Sequence, residues 1–280
     1  MRQVLLLLIV LINYQSGYTQ QITCSPKDKV AVEEKINAIE ELLQPNFGST
    51  IVSVGKTFMK TPYVAKTLEI GDTETLVVNL QGLDCTTFVE NVLAFSMLLK
   101  QQEDSFDAFV KNLEVIRYKD GALDGYASRL HYFSEWISNN AEKGLLKDIT
   151  GEIGGAEITK DIDFMSTYRD LYPFLADDTN FDKIKVSENF LNSKAICVLA
   201  QDKIAENEHL IQSGDIIALA TSINGLDVTH TGVATKEKDG RIHLLHASTG
   251  SMEVEVSKKP LAEYLKGIKS NTGIMVARPL

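Results

Sequence analysis

A cysteine stands where a helix of this chain is about to begin. In Gly82-Leu83-Asp84-Cys85-Thr86-Thr87-Phe88-Val89-Glu90 and beyond, the apolar residues Phe88, Val89, Val92, Leu93 and Leu99 recur at helical spacing, with the small Ser96 among them. Asp84, one residue upstream, is an N-cap type. Cys85 therefore falls in the first helical turn, where unpaired backbone N–H groups and the positive end of the macrodipole favour thiolate over thiol. One of those N–H groups can also face a developing oxyanion. The competing reading is a buried structural cysteine, the commoner fate of a free thiol, so the choice rests on what partners the chain supplies.

Two histidines supply them. Asp227-Val228-Thr229-His230-Thr231-Gly232-Val233-Ala234 reads as a loop feeding a strand, and Arg241-Ile242-His243-Leu244-Leu245-His246-Ala247-Ser248 as the next strand. Between them Lys236-Glu237-Lys238-Asp239-Gly240 is a hairpin turn whose Asp-Gly pair suits positive φ. Antiparallel neighbours of this kind bring His230 and His246 side by side. Alternation places Ile242, Leu244 and His246 on one face and His243 on the other, so His246 is assigned to the site and His243 is left out. A cysteine at a helix start, a base on one strand and an orienting polar group on the next is what nucleophilic acyl transfer needs. A metal reading is disfavoured by spacing, since the chain has neither a His-x-x-x-His nor a Cys-x-x-Cys and only Cys85 offers itself as third ligand to the two strand histidines.

The local contexts resemble the NlpC-like cell-wall cysteine peptidases, a papain-fold superfamily. Thr61-Pro62-Tyr63 is similar to that family's Pro-Tyr segment, Leu83-Asp84-Cys85-Thr86-Thr87-Phe88-Val89 to its Asp-Cys helix start, Gly214-Asp215-Ile216-Ile217 to its Gly-Asp strand entry, and His230-Thr231-Gly232-Val233 to its His-x-Gly strand, with Leu245-His246-Ala247 completing the set. The Asp84-Cys85-Thr86-Thr87 form departs from the usual Asp-Cys-Ser-Gly. With Tyr63-Val64-Ala65-Lys66-Thr67-Leu68-Glu69, Ser128-Arg129-Leu130-His131-Tyr132 and Leu226-Asp227-Val228-Thr229-His230, it resembles a narrower branch, the N-acetylmuramoyl-L-alanine amidase-like proteins of bacterial envelopes.

That resemblance implies a cysteine hydrolase cutting the amide between the lactyl group of a muramic acid and L-alanine, on 1,6-anhydro muropeptides released from the wall. Cys85 attacks, His230 is base and then acid, and His246 fixes the tautomer and direction of His230. Tyr63 is either an oxyanion donor or a packed wall residue. Glu69, Asp84, Ser128, Arg129 and Tyr132 form the candidate substrate-binding set. In it Arg129 pairs with substrate or with a surface carboxylate, Tyr132 or Trp136 stacks on a sugar or packs inside, and Glu69 holds a sugar hydroxyl or a backbone N–H, or is solvated. Asp84 is favoured as the N-cap. No cofactor and no metal are implied, and muropeptides are the expected partners of a monomer. Two other functions stay open: a stem-peptide endopeptidase cutting after γ-D-glutamate, and a non-catalytic envelope or carbohydrate-binding protein.

Composition bounds the rest. The 280 residues, 44% of them hydrophobic, suffice for a full core, and a net charge of −10 offers no basic patch for nucleic acid. Met1-Arg2, the apolar run Val4 to Ile12 and the polar stretch Asn13 to Gln21 read as a secretory signal over residues 1–19, too short to span a bilayer, with the mature start near Gln20. Export to a bacterial periplasm follows, without stable membrane insertion. Ile22 and Thr23 make a poor lipobox before Cys24, so soluble export is preferred to a lipid anchor. Cys24 and Cys197 are open to disulfide pairing, although a buried Cys197 and a Cys24 near a loose terminus are favoured.

Residues 20–280 are expected to form one elaborated α+β domain, papain-like or NlpC-like, with an antiparallel sheet packed against the cysteine helix. Helices are expected over Asp28 to Leu43, from Cys85 onward, over Ser105 to Ile116 and over Ser128 to Glu142. Pro45 to Tyr63 is expected to be irregular and Thr67 to Leu80 to supply a strand. Residues of about 120–200 are read as a helical insertion that shapes the substrate cleft. Strands follow at Gly214 to Thr221, Thr231 to Thr235, Ile242 to Ala247, Met252 to Val256 and Gly273 to Arg278, with a short helix at Leu261 to Leu265 after Pro260.

Overall fold

The computed structural model describes residues 21–280; the expected signal segment lies outside the described residues. In chain order the elements are β1 (Ile22–Cys24), α1 (Pro26–Ile39), α2 (Phe47–Lys56), β2 (Leu76–Val78), α3 (Cys85–Gln101), α4 (Phe106–Arg117), α5 (Phe133–Glu142), β3 (Leu146–Asp148), β4 (Ala156–Ile158), α6 (Phe164–Thr167), α7 (Asp178–Asn192), β5 (Ile196–Ala200), α8 (Ile204–Asn207), β6 (Ile216–Thr221), β7 (Val228–Lys236), β8 (Ile242–Ser248), β9 (Glu253–Val256), α9 (Leu261–Leu265) and β10 (Asn271–Pro279).

The late strands build an antiparallel sheet in the order β4-β5-β10-β6-β7-β8-β9, and β3 also pairs with β10. Its two faces follow from the two-residue period of a strand. Val233, Leu245, Ala247 and Val254 enter a core shared with Phe88, Val89, Val92 and Phe95 of α3. Their neighbours Ala234 and Leu244 enter a second core with Ile217, Leu219 and, from α9, Leu261, Ala262 and Leu265. Each fully buried Leu or Phe contributes roughly 1.5–3 kcal/mol relative to exposure, so a one-residue slip of β8 would exchange both sets and is strongly disfavoured. A third cluster, with Tyr126, Tyr132, Phe174 and Ile184, lies in the segment between α4 and β5.

Several elements differ from expectation. Pro45 to Tyr63 is not irregular: Asn46 caps α2 by accepting from Ser49 N–H at 3.1 Å, and Ile51 and Val54 of that helix are buried. Of Thr67 to Leu80 only Leu76–Val78 is strand, and it pairs in parallel with β1 rather than joining the large sheet. The helix expected from Ser128 starts at Phe133, because residues 126–128 form a separate 3₁₀ turn. The 120–200 segment is more than an added helical lobe, since its strands β3 and β5 both pair with β10. Cys24 sits in β1 opposite Val78 rather than in a loose end, Cys197 is half-buried on β5, and both are free thiols. Among the described residues no helix is long and apolar enough to cross a membrane.

Candidate active site

Cys85 is the first residue of α3, as the sequence requires, and a reciprocal cap holds it there. Asp84 Oδ1 accepts the Thr87 N–H at 2.8 Å, and the Asp84 N–H donates to Thr87 Oγ1 at 2.9 Å. Thr87 fills the place that Glu or Gln takes in the usual capping box. The approach to this cap is stitched to the Pro-Tyr segment: the Leu83 N–H donates to Pro62 O at 3.0 Å and the Val64 N–H to Leu83 O at 3.1 Å. Gly82 permits that approach, since a Cβ there would lie 2.4 Å from Val64 Cγ2. The Tyr63 N–H donates to Met252 O at 2.9 Å, just before β9. Tyr63 is thus held between the cysteine cap and the strand that follows His246.

The histidines come from β7 and β8. His230 Nε2 and His246 Nδ1 are 2.6 Å apart, with the rings nearly perpendicular. A bulge helps to aim His230: Leu219 of β6 faces His230 and Ala220 faces Val228, so β7 carries one extra residue, Thr229. Gly232 brings the strands close, because a Cβ there would lie 2.8 Å from Leu245 O and 2.9 Å from His246 Cβ. His243 points away, as the pleat predicts, to Ser257 O at 2.7 Å and Asp239 at 3.0 Å.

Cys85 reaches this pair through the backbone. The N–H of Thr231, next to His230, lies by the sulfur and favours thiolate, as do the hydroxyl and backbone of Thr86. Burial first, then the Asp84 carboxylate, outweigh them and push the thiol up to about 12. Burial holds His230 at about 3, helped by His246, and His246 at about 4. Tyr63 rises to about 12 through burial and then the charges of Cys85 and Asp84. Near neutral pH the groups therefore rest as a thiol, two neutral imidazoles and a neutral phenol. The sulfur is not hydrogen-bonded to His230 in this arrangement. Among the described residues no three His, Cys, Asp or Glu side chains gather as metal ligands.

The AmiA-like family, described as N-acetylmuramoyl-L-alanine amidase-like, matches residues 53–274, which carry Tyr63, Cys85, His230 and His246. The chain belongs to the AmiA-like amidase family. It is an enzyme of that amidase class. A solved N-acetylmuramoyl-L-alanine amidase from Bacteroides uniformis is 42% identical, with a TM-score of 0.79 over 84% of this chain and 99% of that one. A Bacteroides fragilis protein described as a candidate xylanase is 43% identical, with a TM-score of 0.75 over 80% of this chain and 98% of that one. A Legionella pneumophila protein, 20% identical with a TM-score of 0.67 over 91% of this chain and 95% of that one, shares the fold alone. No curated protein matches the chain.

Of the substrate-binding set of this AmiA-like chain, Glu69 and Arg129 are paired with each other, while Asp84, Ser128 and Tyr132 are engaged in contacts of their own. Arg129 is buried, donates from Nη2 to Glu69 at 2.6 Å and faces Glu74 at 3.1 Å, so its charge is matched by interior carboxylates rather than paired at the surface, while its Nε makes no hydrogen bond. Tyr132 cannot stack on a sugar: it is 2% exposed, and its hydroxyl donates to Glu188 at 2.8 Å and accepts the Met165 N–H at 2.9 Å. Trp136 is fully buried. The Ser128 hydroxyl closes its own loop, donating to Gly125 O at 2.7 Å and accepting the Asp124 N–H at 2.8 Å. Glu69 carries one buried oxygen, Oε2, with no partner, and Asp84 is the cap. Two contributors were missed from sequence. Thr231 was signalled only by its place inside the His-x-Gly match. Tyr264, whose ring lies against His246, had no signal within its short helix.

Proposed function

We propose that this amidase is a cysteine hydrolase that separates N-acetylmuramic acid, in its 1,6-anhydro form, from L-alanine in peptidoglycan fragments released from the wall. The observation that carries the reading is the 2.6 Å bond between His230 Nε2 and His246 Nδ1, beside the strand residue whose N–H attends the Cys85 sulfur. That bond leaves Nδ1 of His230 for the thiol. Cys85 Sγ attacks the lactyl carbonyl while its proton passes to His230, and the carbonyl electrons move onto oxygen. The Cys85 N–H, at the start of α3, and the Tyr63 hydroxyl are the donors to that oxyanion. Collapse breaks the C–N bond, and His230 returns the proton to the leaving amine of alanine. Water, deprotonated by the same imidazole, then releases the lactyl carboxylate from the thioester.

The order of the cysteine helix and histidine strands supports a papain-like, NlpC-like arrangement. Glycosidic cleavage, suggested by the description of the Bacteroides fragilis relative, ordinarily calls for a carboxylate pair flanking the scissile bond, whereas this site offers a thiol and two imidazoles. Action outside the cytoplasm fits the peptidoglycan substrate class of the family.

Mass spectrometry of the products from one purified anhydro-muropeptide tests the proposal. The expected products are the anhydro-sugar lactyl acid and the intact peptide. A cut after γ-D-glutamate would replace this reading with that of a stem-peptide endopeptidase. Undiminished turnover by Cys85→Ala would remove the cysteine from the mechanism.

A further inference from the structure

The proposed triad ends on an imidazole with an unpaired nitrogen. His246 is fully buried, its Nδ1 faces His230, and its Nε2 has no hydrogen-bond partner. An orienting histidine is usually held from its far side by a carboxylate or carbonyl. Without one, a half-turn of this ring about its Cβ–Cγ bond would put a C–H where Nδ1 sits and break the contact with His230, while sacrificing no polar bond at Nε2. Packing must supply the restraint. The ring meets His230 edge-on at 4.8 Å and 83°. It also meets the Tyr264 ring at 5.5 Å and 70°.

Tyr264 is placed for this by its helix. Pro260 opens α9 and accepts the Tyr264 N–H at 2.8 Å, while Leu261, Ala262 and Leu265 are buried in the core on the same sheet face as Leu244, two residues from His246. Those three anchors fix the rotation of α9 and leave Tyr264 half-buried against the imidazole. The phenol makes no hydrogen bond to His246, so the ring face and edge, not the hydroxyl, do the holding.

We propose that Tyr264 is a positioning residue whose aromatic ring keeps His246 in the orientation that presents Nδ1 to His230. The inference rests on the Cys85–His230–His246 reading given above. Its test is a double-mutant cycle with the anhydro-muropeptide as substrate. Tyr264→Phe keeps the ring and is expected to retain kcat within about two-fold. Tyr264→Leu is expected to lower kcat by about ten-fold with KM within two-fold, as loss of an orienting contact requires. In a His246→Gln background the same Tyr264→Leu change is expected to have no further effect on kcat, because no ring remains to be held. Equal losses in both backgrounds, or a Tyr264→Phe loss matching that of Tyr264→Leu, would overturn the proposal. A fully active Cys85→Ala would instead overturn the cysteine mechanism on which it rests, so the two failures are distinguishable.

Discussion

Asp84 does two things to Cys85 that oppose one another: it caps the helix on which the nucleophile sits, and its charge disfavours the thiolate. The two effects separate on substitution. Asn caps about as well as Asp, so Asp84→Asn is expected to keep stability within about 0.5 kcal/mol while raising the rate of iodoacetamide alkylation of Cys85 at pH 8 several-fold, since the thiolate is the reacting form. Asp84→Ala removes the cap and is expected to cost about 1 kcal/mol in urea unfolding. The imidazoles make a second prediction. With His230 held at about 3 and His246 at about 4, the neutral base survives as pH falls well below the usual imidazole value. The acid limb of kcat/KM is therefore expected below about pH 5 rather than near 6.5. A midpoint near 6.5 in rates measured from pH 4 to 8 would show that the base titrates as an exposed imidazole does.

Strands β7 and β8 deliver the two imidazoles only because their backbones can come close. Alanine at Gly232 would put a Cβ against Leu245 O and His246 Cβ at 2.8 and 2.9 Å, and neither backbone nor a fully buried ring yields cheaply. Gly232→Ala is expected to destabilise by about 1–3 kcal/mol, with a kcat loss beyond what thermal melting explains, because the His230–His246 pair is pushed apart. The helix start at Cys85, the β7–β8 hairpin and the face carrying His246 were legible in sequence, because caps, turn residues and pleat alternation are local signals. Helix α2 was not: Gly48 and Gly55 punctuate its pattern, and the reason for both is tertiary. A Cβ on Gly48 would meet Ser213 O at 2.2 Å and one on Gly55 would meet Leu245 Cδ2 at 2.8 Å, so these glycines serve contacts with the distant sheet region rather than a turn. The same limit applies to Arg129 and Tyr132. Residue type makes them plausible ligand contacts, and only the fold reveals that Glu69 and Glu74 face the buried Arg129 and that Glu188 takes the Tyr132 hydroxyl.

Across the whole molecule, the helical layer that carries the nucleophile is tied together by charges in its interior. Arg117 of α4 donates to Glu90 of α3 at 2.7 Å and to Val77 O of β2 at 2.7 Å, and both side chains of the ion pair are 2% exposed. Nearby, Glu74 accepts from the Tyr118 hydroxyl at 2.8 Å and faces Arg129 at 3.1 Å. Burial raises both glutamates despite their arginines, so desolvation competes with pairing at each. For such a pair the attraction and the desolvation nearly cancel, whereas one partner left alone has only the penalty. Arg117→Met by itself is therefore expected to destabilise by about 3–5 kcal/mol, strands Glu90 in the core and frees Val77 O from its donor. Arg117→Met with Glu90→Leu removes both charges and is expected to recover most of that loss in urea unfolding at pH 7. Should the double variant be no more stable than the single one, the pair would be holding α3, α4 and β2 in register by its geometry rather than merely neutralising itself. The kcat of the double variant then distinguishes the cases further, since Glu90 lies on the same helix as Cys85 and a shift of α3 would move the sulfur relative to Thr231 and the paired imidazoles.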